Sequence, residues 1–574
     1  MPAEITFMVG GEAGQGVQTI GFTLAKTLTR AGLYVFADQD YESRVRGGHN
    51  FYRVRAADKE VLALSEQLDV LIAIDQNTVD LHHGEVKEDG IIIFDSDKLK
   101  TVDSRLNLLG IPLERMAEEK ASSKLMANSV AVGAAVAVGG YEFELLERVL
   151  KERFTYLGKD VAEANVRVAR AGYDQARQKP KAIRQRINPA TLGKKMMLMN
   201  GNEAIALGAM AAGCKFMAAY PMTPASSIME YVADKGRKFD IVMIQPEDEI
   251  AAINMAVGAG FAGVRAMTAT SGDGFALMTE GLGLAGITET PVVIAIAQRP
   301  GPAVGLPTRT EQGELMFAIY GGPGEFPRTV LAPCTVEDAF TTTIKAFNLT
   351  EKYQLPVIIL TDHHLASSYQ TVPKFDLSKV TIDRGQLISE AEANKITEYK
   401  RHRFTESGIS PRLIPMRGKG LVVTDSDEHD EAGHMIEDAA LRTRMMLKRL
   451  KKLDGVKKEL TAHHFHQKAN AGATLVGWGS TYGAIKEAAS LLEKDSLGVN
   501  VLQINELWPF PAQAVASALG KTNKSFVIEN NATGQLAQLI QAETRIKVNG
   551  NMLKFDGRPF SPSYIAKEVK KAVT

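Results

Sequence analysis

Ile5-Thr6-Phe7-Met8-Val9 runs directly into Gly10-Gly11-Glu12-Ala13-Gly14-Gln15-Gly16, and a helical pattern follows from Val17 to Ala31. A short apolar strand, a glycine-rich turn and a helix, in that order, open an α/β unit. The turn offers backbone N–H groups and a helix N-terminus to a ligand beyond the strand end. A second strand, Leu33 to Ala37, ends in Asp38, and Val70 to Ile74 and Gly90 to Phe94 are again short and apolar. Such strands alternating with helices predict a parallel sheet. Two readings of the glycine turn stand side by side. A dinucleotide loop wants glycines at its first, third and sixth positions and an acid about 20 residues on. Gly11, Gly16 and Asp38 fit, whereas Ala13 holds the middle position. That reading leads to an NAD-linked dehydrogenase. The other is a tight strand-to-helix turn with no ligand.

The same signature recurs twice. Strands are expected at Met217 to Ala219, Ile241 to Ile244, Val264 to Thr270, Val292 to Ala297 and Val357 to Thr361, and later from Thr474, over Val499 to Leu507 and over Ser525 to Glu529. The fold class is therefore α/β, with three α/β domains joined by linkers. The expected layout is a first domain at 1–180, a polar linker at 181–196, a second domain at 197–370, a connecting arm at 371–470 and a third domain at 471–574. The arm is expected to hold a helix over Ile436 to Lys452, its basic run Lys448-Arg449-Leu450-Lys451-Lys452 solvated.

Composition narrows the function classes. The 574 residues carry 67 basic and 67 acidic side chains, so no net field recruits nucleic acid or an acidic membrane. At 45% hydrophobic and 23% charged, the chain is ordinary globular protein. Two cysteines, Cys214 and Cys334, exclude a disulfide scaffold and a four-thiolate iron–sulfur cluster within this chain. The small-apolar run Ser129 to Gly140 is too short to span a bilayer. The start carries no basic or cleavage-like signal, so a cytoplasmic location is expected. His429, His434, His463, His464 and His466 match no metal-ligand spacing, and no metal site is expected.

The segments that carry chemistry cluster in the second domain. Tyr220-Pro221-Met222-Thr223-Pro224 follows a strand, where ligands bind in open α/β sheets. Thr223 can donate to a carboxylate, or simply cap a helix that Pro224 begins. Gln245-Pro246-Glu247-Asp248-Glu249 precedes an apolar helix running to Gly258. These acids either satisfy the helix dipole or place one carboxyl, Glu249, where it exchanges a proton with a heterocycle. Arg299, in Gln298-Arg299-Pro300-Gly301-Pro302, and Arg309, in Gly305-Leu306-Pro307-Thr308-Arg309-Thr310-Glu311-Gln312, suit carboxylate binding or surface ion pairs equally.

Taken in order, Y-P-M-T-P, E-D-E-I-A-A, the T-A-T-S-G turn, E-T-P-V-V-I, G-L-P-T-R-T-E-Q and I-E-N-N-A-T-G-Q-L-A-Q-L resemble the 2-oxoacid:ferredoxin oxidoreductases. The opening G-G-E-A-G-Q-G-V and Arg44 to His49 (R-V-R-G-G-H) resemble that family's γ domain, fused here ahead of an α subunit. Gly408 to Arg412 (G-I-S-P-R) and Glu428 to Gly433 (E-H-D-E-A-G) resemble its arm. The resemblance covers nearly the whole chain and is nearest to the 2-oxoglutarate:ferredoxin type. It implies a γ domain, a pyrimidine-binding domain of the thiamine diphosphate fold and a transketolase C-terminal-like domain. It implies oxidative decarboxylation of a 2-oxoacid with CoA, electrons leaving to ferredoxin. Glu249 would hold the aminopyrimidine ring, with Glu247 as the fallback. Tyr220, Pro221 and Thr223 would line the cofactor. Thr223 would contact the substrate carboxylate, with Arg309, or else Arg299, as its counter-charge. Gly272-Asp273-Gly274 looks like a diphosphate motif, but the asparagine that should follow it is missing. The resemblance therefore assigns the diphosphate, Mg2+ and a [4Fe-4S] cluster to a β subunit, in an (αβ)2 assembly.

Overall fold

The computed structural model describes residues 3–44, 47–98, 107–179, 184, 187, 196–460 and 463–573. Val45 and Arg46 of the R-V-R-G-G-H segment, and nearly all of the expected linker, lie outside the described residues. The chain forms two compact units, residues 1–200 with 367–375 and residues 201–366 with 376–574.

The first unit is built on one eight-stranded sheet. Its strands are β1 (Glu4–Ala13), β2 (Tyr34–Asp40), β3 (Gly47–Ala57), β4 (Leu68–Ala73), β5 (Val86–Asp95), β6 (Asn107–Ile111), β7 (Met196–Met199) and, far along the chain, β14 (Tyr369–Pro373). Their order is β6-β5-β4-β1-β3-β2-β14-β7. One half is parallel, with Phe7 opposite Val70 and Ile91 opposite Asn107. The other half is antiparallel, which corrects the expectation of a parallel sheet. The cause is β3, which enters between β1 and β2 and pairs antiparallel with both.

That insertion also decides the glycine turn. A dinucleotide loop belongs to a βαβ unit of parallel strands, and here the strand after helix Val17–Arg30 is not beside β1. Gln15 folds back to accept from the Glu12 N–H at 2.8 Å, and any side chain at Gly16 would collide with Asn128. Asp38 lies inside β2 and accepts from the Ser368 hydroxyl at 3.1 Å. The turn is a packed strand-to-helix connection, and the NAD reading loses its structural basis. Helix Ala127–Val138, the small-apolar run, is buried from Ser129 onward. Its Gly133 lies against the Ala169 carbonyl of helix Lys159–Arg177, too close for any Cβ. Small residues serve close helix packing there.

The second unit holds two sheets. The larger comprises β8 (Phe216–Ala218), β9 (Val242–Ile244), β10 (Ala266–Thr270), β11 (Val292–Gln298), β12 (Thr329–Leu331), β13 (Pro356–Asp362) and β18 (Glu506–Trp508), in the order β18-β12-β13-β11-β10-β8-β9. All are parallel except β18. β10, β11 and β13 are buried at every position, as strands covered on both faces must be. The smaller sheet comprises β15 (His463–His466), β16 (Ala473–Gly477), β17 (Val499–Ile504), β19 (Ser525–Glu529) and β20 (Gly550–Leu553). The expected single strand Val499 to Leu507 thus breaks at Asn505 and serves two sheets. Asn505 stands at the break and donates to Asp338 at 2.9 Å.

The arm helix runs Ala439–Glu459, and most of its basic run turns inward rather than into solvent: Lys448, Arg449 and Lys452 are at most 4% exposed, while Lys451 is exposed. Glu289 draws two of them inward. It meets Lys448 at 2.5 Å, is paired with Lys452, and accepts from His402 at 2.8 Å. Glu428 takes Arg449 through both oxygens, at 3.0 and 2.7 Å. His429 is fully buried, its ring tilted against that of His402 with centres 4.0 Å apart.

Candidate active site

Strand order reverses between β8 and β10: β9 follows β8 in sequence on one side, and β10 lies on the other. Ligands of open parallel sheets bind at such a point, beyond the C-terminal strand ends. The segments after β8, β9, β10 and β11 all converge there, and they carry the residues singled out from sequence.

Helix Glu249–Phe261 follows β9. Asp248 caps it, accepting from the Ala251 N–H at 2.7 Å. The cap fixes the first turn and so the direction in which Glu249 leaves the backbone. Among the three acids burial discriminates: Glu247 is exposed, Asp248 is half-buried and spent on the cap, and Glu249 is 3% exposed. The Glu249 carboxyl lies against Gly274, where a Cβ would come within 2.8 Å of its Oε1. Oε1 is buried with no hydrogen-bond partner. A buried acceptor left unmatched costs about 1–3 kcal/mol, so such an atom is a place kept for a donor or a proton.

Thr223 does not cap a helix. Helix Ser226–Lys235 starts two residues beyond Pro224, with no side-chain cap. The Thr223 carbonyl instead accepts from Arg299 at 2.7 Å, and the Pro224 carbonyl accepts from Asn202 at 2.8 Å. Tyr220 and Pro221 are exposed on the same turn. The other arm of Arg299 pairs with Asp273 at 2.7 Å. Arg299 is therefore neutralised from within, and Asp273 is a structural counter-ion rather than a diphosphate-motif acid. Gly272 and Gly274 clear space for Glu314 and Glu249 respectively.

Arg309 lies on a loop held by a separate network. Gln312 is fully buried and clamps this loop: its N–H donates to the Asn530 carbonyl at 2.6 Å, its Oε1 accepts from the Asn530 N–H at 3.0 Å, and its Nε2 donates to the Trp478 carbonyl at 2.9 Å. Asn531 donates to the Gln312 carbonyl at 3.1 Å. The Thr310 hydroxyl donates to Asp362 at the end of β13. Beside this stretch burial, together with His364 and Arg309, pushes the His363 imidazole down to about 3, so it stays neutral. The structure thus gathers Thr223, Arg299 and Glu249 around Gly272–Gly274, and sets Arg309 on the neighbouring stretch with His363.

Four residues escaped the sequence reading. Asn202 is a lone amide with no motif around it, and Gln298 opens a segment that drew attention only for Arg299. Asp273 sat inside a misleading Gly-Asp-Gly. Glu314 follows the G-L-P-T-R-T-E-Q motif by two residues with nothing to mark it, yet burial, Glu311 and Asp273 push its carboxyl up to about 8.

The residues fit one half of a thiamine diphosphate site. An unmatched buried carboxyl oxygen at the switch point suits a pyrimidine ring nitrogen. For the diphosphate and its metal the fit fails at Asp273, whose carboxylate is spent on Arg299. No helix among the described residues is long and apolar enough to cross a membrane.

Comparison with known proteins gives three successive family matches. Residues 6–175 match a pyruvate ferredoxin/flavodoxin oxidoreductase model. Residues 207–448 match the thiamine diphosphate-binding region of pyruvate flavodoxin/ferredoxin oxidoreductase, and residues 471–565 match core domain II of pyruvate:ferredoxin oxidoreductase. The chain is 32% identical to the 2-oxoacid:ferredoxin oxidoreductase subunit alpha of a Sulfolobus species, over 97% of this chain and 95% of the relative. It is 35% identical to the 2-oxoglutarate synthase subunit KorA of Archaeoglobus fulgidus, over 62% of this chain and 93% of that one. Among solved structures, it is similar to the 2-oxoglutarate:ferredoxin oxidoreductase of Magnetococcus marinus, described with 2-oxoglutarate, coenzyme A and succinyl-CoA bound. That likeness has a TM-score of 0.92 at 33% identity and covers 100% of both chains.

Proposed function

This chain belongs to the 2-oxoacid:ferredoxin oxidoreductase family, and from that premise we propose that it is the α subunit of a 2-oxoglutarate:ferredoxin oxidoreductase. The reaction is 2-oxoglutarate, CoA and two oxidised ferredoxins giving succinyl-CoA, carbon dioxide, two reduced ferredoxins and a proton, and it is reversible. The observation that carries the reading is the buried, unmatched Oε1 of Glu249 at the strand-order reversal, in a chain whose full length follows that of a 2-oxoglutarate:ferredoxin oxidoreductase.

Thiamine diphosphate, when bound, supplies the electron sink for the carbanion that decarboxylation leaves. Glu249 holds a proton at a pyrimidine ring nitrogen, in a place from which Gly274 and the apolar helix face exclude water. Tyr220 and Pro221 line the same turn. The Thr223 hydroxyl, on a segment tied to Arg299, donates to the substrate's 1-carboxylate, and Arg309 supplies the positive charge. Glu247 is too exposed to share Glu249's role, and Arg299 serves Thr223 rather than the substrate.

The remaining groups belong to a β subunit. Cys214 and Cys334 are both buried, and burial pushes the Cys214 thiol up to about 12, so neither supplies a thiolate to a cluster. The [4Fe-4S] cluster, Mg2+ and the diphosphate half of the site are assigned to that partner, in an (αβ)2 assembly that reduces ferredoxin in the cytoplasm.

The test is viologen reduction by this chain co-expressed with its β subunit, given CoA and each of 2-oxoglutarate, pyruvate and a branched-chain 2-oxoacid. Reduction that needs CoA and is fastest with 2-oxoglutarate is expected. A preference for pyruvate would overturn the substrate assignment, and no reduction by an iron–sulfur-loaded complex would overturn the activity.

A further inference from the structure

The carboxyls of Asp273 and Glu314 both act on the Arg299 guanidinium, and that of Glu311 acts on Glu314. Asp273 comes from the first turn of helix Gly272–Ile287, Glu311 and Glu314 from the loop after β11, and Arg299 from the end of β11. Among the described residues Asp273 is the carboxylate that pairs with Arg299, at 2.7 Å; the guanidinium's other arm is on the Thr223 carbonyl. Glu314 is wedged over Gly272, where a Cβ would lie 2.6 Å from its Oε1 and 2.9 Å from its Cγ. Its N–H is fixed on Gln298 Oε1 at 3.0 Å, so the backbone holds the side chain in place. Its Oε2 is buried and has no hydrogen-bond partner. An ionised carboxylate would not be left so, because a buried charge demands a partner.

We propose that Glu314 is a positioning residue that works as a neutral carboxylic acid: its proton leaves Asp273 as the sole anion on Arg299, which keeps Arg299 on the Thr223 carbonyl and spares an anionic substrate an opposing charge. The groups that face it agree. Burial, Glu311 and Asp273 raise its pKa, Arg299 lowers it, and the balance stands at about 8. Once ionised, Glu314 competes with Asp273 for Arg299 and adds negative potential where a 2-oxoacid must bind. The role rests on the oxidoreductase reading above; the protonation state does not.

Two measurements on the assembled enzyme test this. The first follows the thermal midpoints of wild type and Glu314→Gln from pH 5 to pH 9 without substrate. A carboxyl whose pKa is higher folded than unfolded takes up a proton on folding, so wild type loses stability as pH rises from about 4.5 to about 8. The midpoint of Glu314→Gln minus that of wild type should climb across this window and then level off. A constant offset overturns the proposal, whatever the enzyme's activity. The second is kcat/KM for the 2-oxoacid against pH. Wild type should lose about fivefold or more between pH 7 and pH 9, mainly through KM. Glu314→Gln should lose less than about twofold over the same range, while KM for CoA changes alike in both. An identical alkaline limb in the two enzymes overturns the positioning role. Turnover of no 2-oxoacid by either enzyme would instead refute the functional reading, and the stability series would still decide whether Glu314 keeps its proton.

Discussion

Glu249 and its two acidic neighbours differ only in where the backbone sends them. Asp248 takes the extended geometry of a cap and spends its carboxyl on the Ala251 N–H, Glu247 precedes it into solvent, and Glu249 begins the helix facing Gly274. Glu249→Gln keeps size and burial and loses the ability to exchange a proton. Turnover of the assembled enzyme should fall by about a hundredfold or more, the range of general acid–base contributions. Sedimentation of the αβ complex should be unchanged. Turnover within a few-fold of wild type would remove Glu249 from the mechanism. At this scale motif order in the sequence singled out Glu249, Thr223 and Arg309 for test. It was silent about Glu314, whose character comes from Gly272 and Asp273, about forty residues away in the chain.

At the scale of the element, the first turn of helix Gly272–Ile287 is the shared wall of the site. Gly274 faces Glu249 and Thr270, Gly272 faces Glu314, and Asp273 between them holds Arg299. Gly274→Ala puts a methyl group into the Glu249 carboxyl and the Thr270 hydroxyl. It should lower kcat by tenfold or more, since about an ångström of misplacement costs on that order or beyond. The thermal midpoint should fall by less than the activity does: the methyl would stand 2.0 Å from the Thr270 hydroxyl, and alanine's helix preference of about 1 kcal/mol over glycine offsets part of that strain. Equal loss of stability and activity would show that the turn is scaffold only. Short elements were the least legible part of the sequence. β3 was unforeseen because Gly47, Gly48 and two arginines disguise its alternation, and with β3 went the antiparallel half of the first sheet.

At the scale of the molecule, the second unit is fastened by buried charge. The arm's segments Gly408 to Arg412 and Glu428 to Gly433, noticed first as family marks, are part of that fastening. Arg412 donates to the Gly260 carbonyl at 3.1 Å, the Ser410 carbonyl accepts from Gln354 at 2.7 Å, and Glu428 grips Arg449. At the centre, burial opposes the charge of Glu289, but Lys448, Lys452 and His402 hold its carboxyl well below the usual range. Burial in turn pushes Lys452 down to about 7. Glu289→Gln leaves two lysines in the interior without a counter-charge and should cost about 3–5 kcal/mol in urea unfolding at pH 7. A carboxyl whose pKa is depressed by folding stabilises above its unfolded pKa, about 4.5, and that stability is lost as pH falls through the folded pKa. The gap between wild type and variant should therefore be full at pH 7 and close only in strong acid. A gap independent of pH would mean that lost packing, not charge, is responsible.

The sequence by itself determined the α/β class, the three-part order and the identities of the residues around the strand ends, because hydrophobic periodicity and turn chemistry are local and survive without the fold. Tertiary structure alone decided which of those residues meet. The glycine turn became a packed connection once β3 separated β1 from β2, the basic helix end turned inward to Glu289, Arg299 was taken by Asp273, and burial closed over the Glu314 carboxyl. Each outcome depends on desolvation and on charges brought close from distant parts of the chain, and neither is written in the spacing of residues along it.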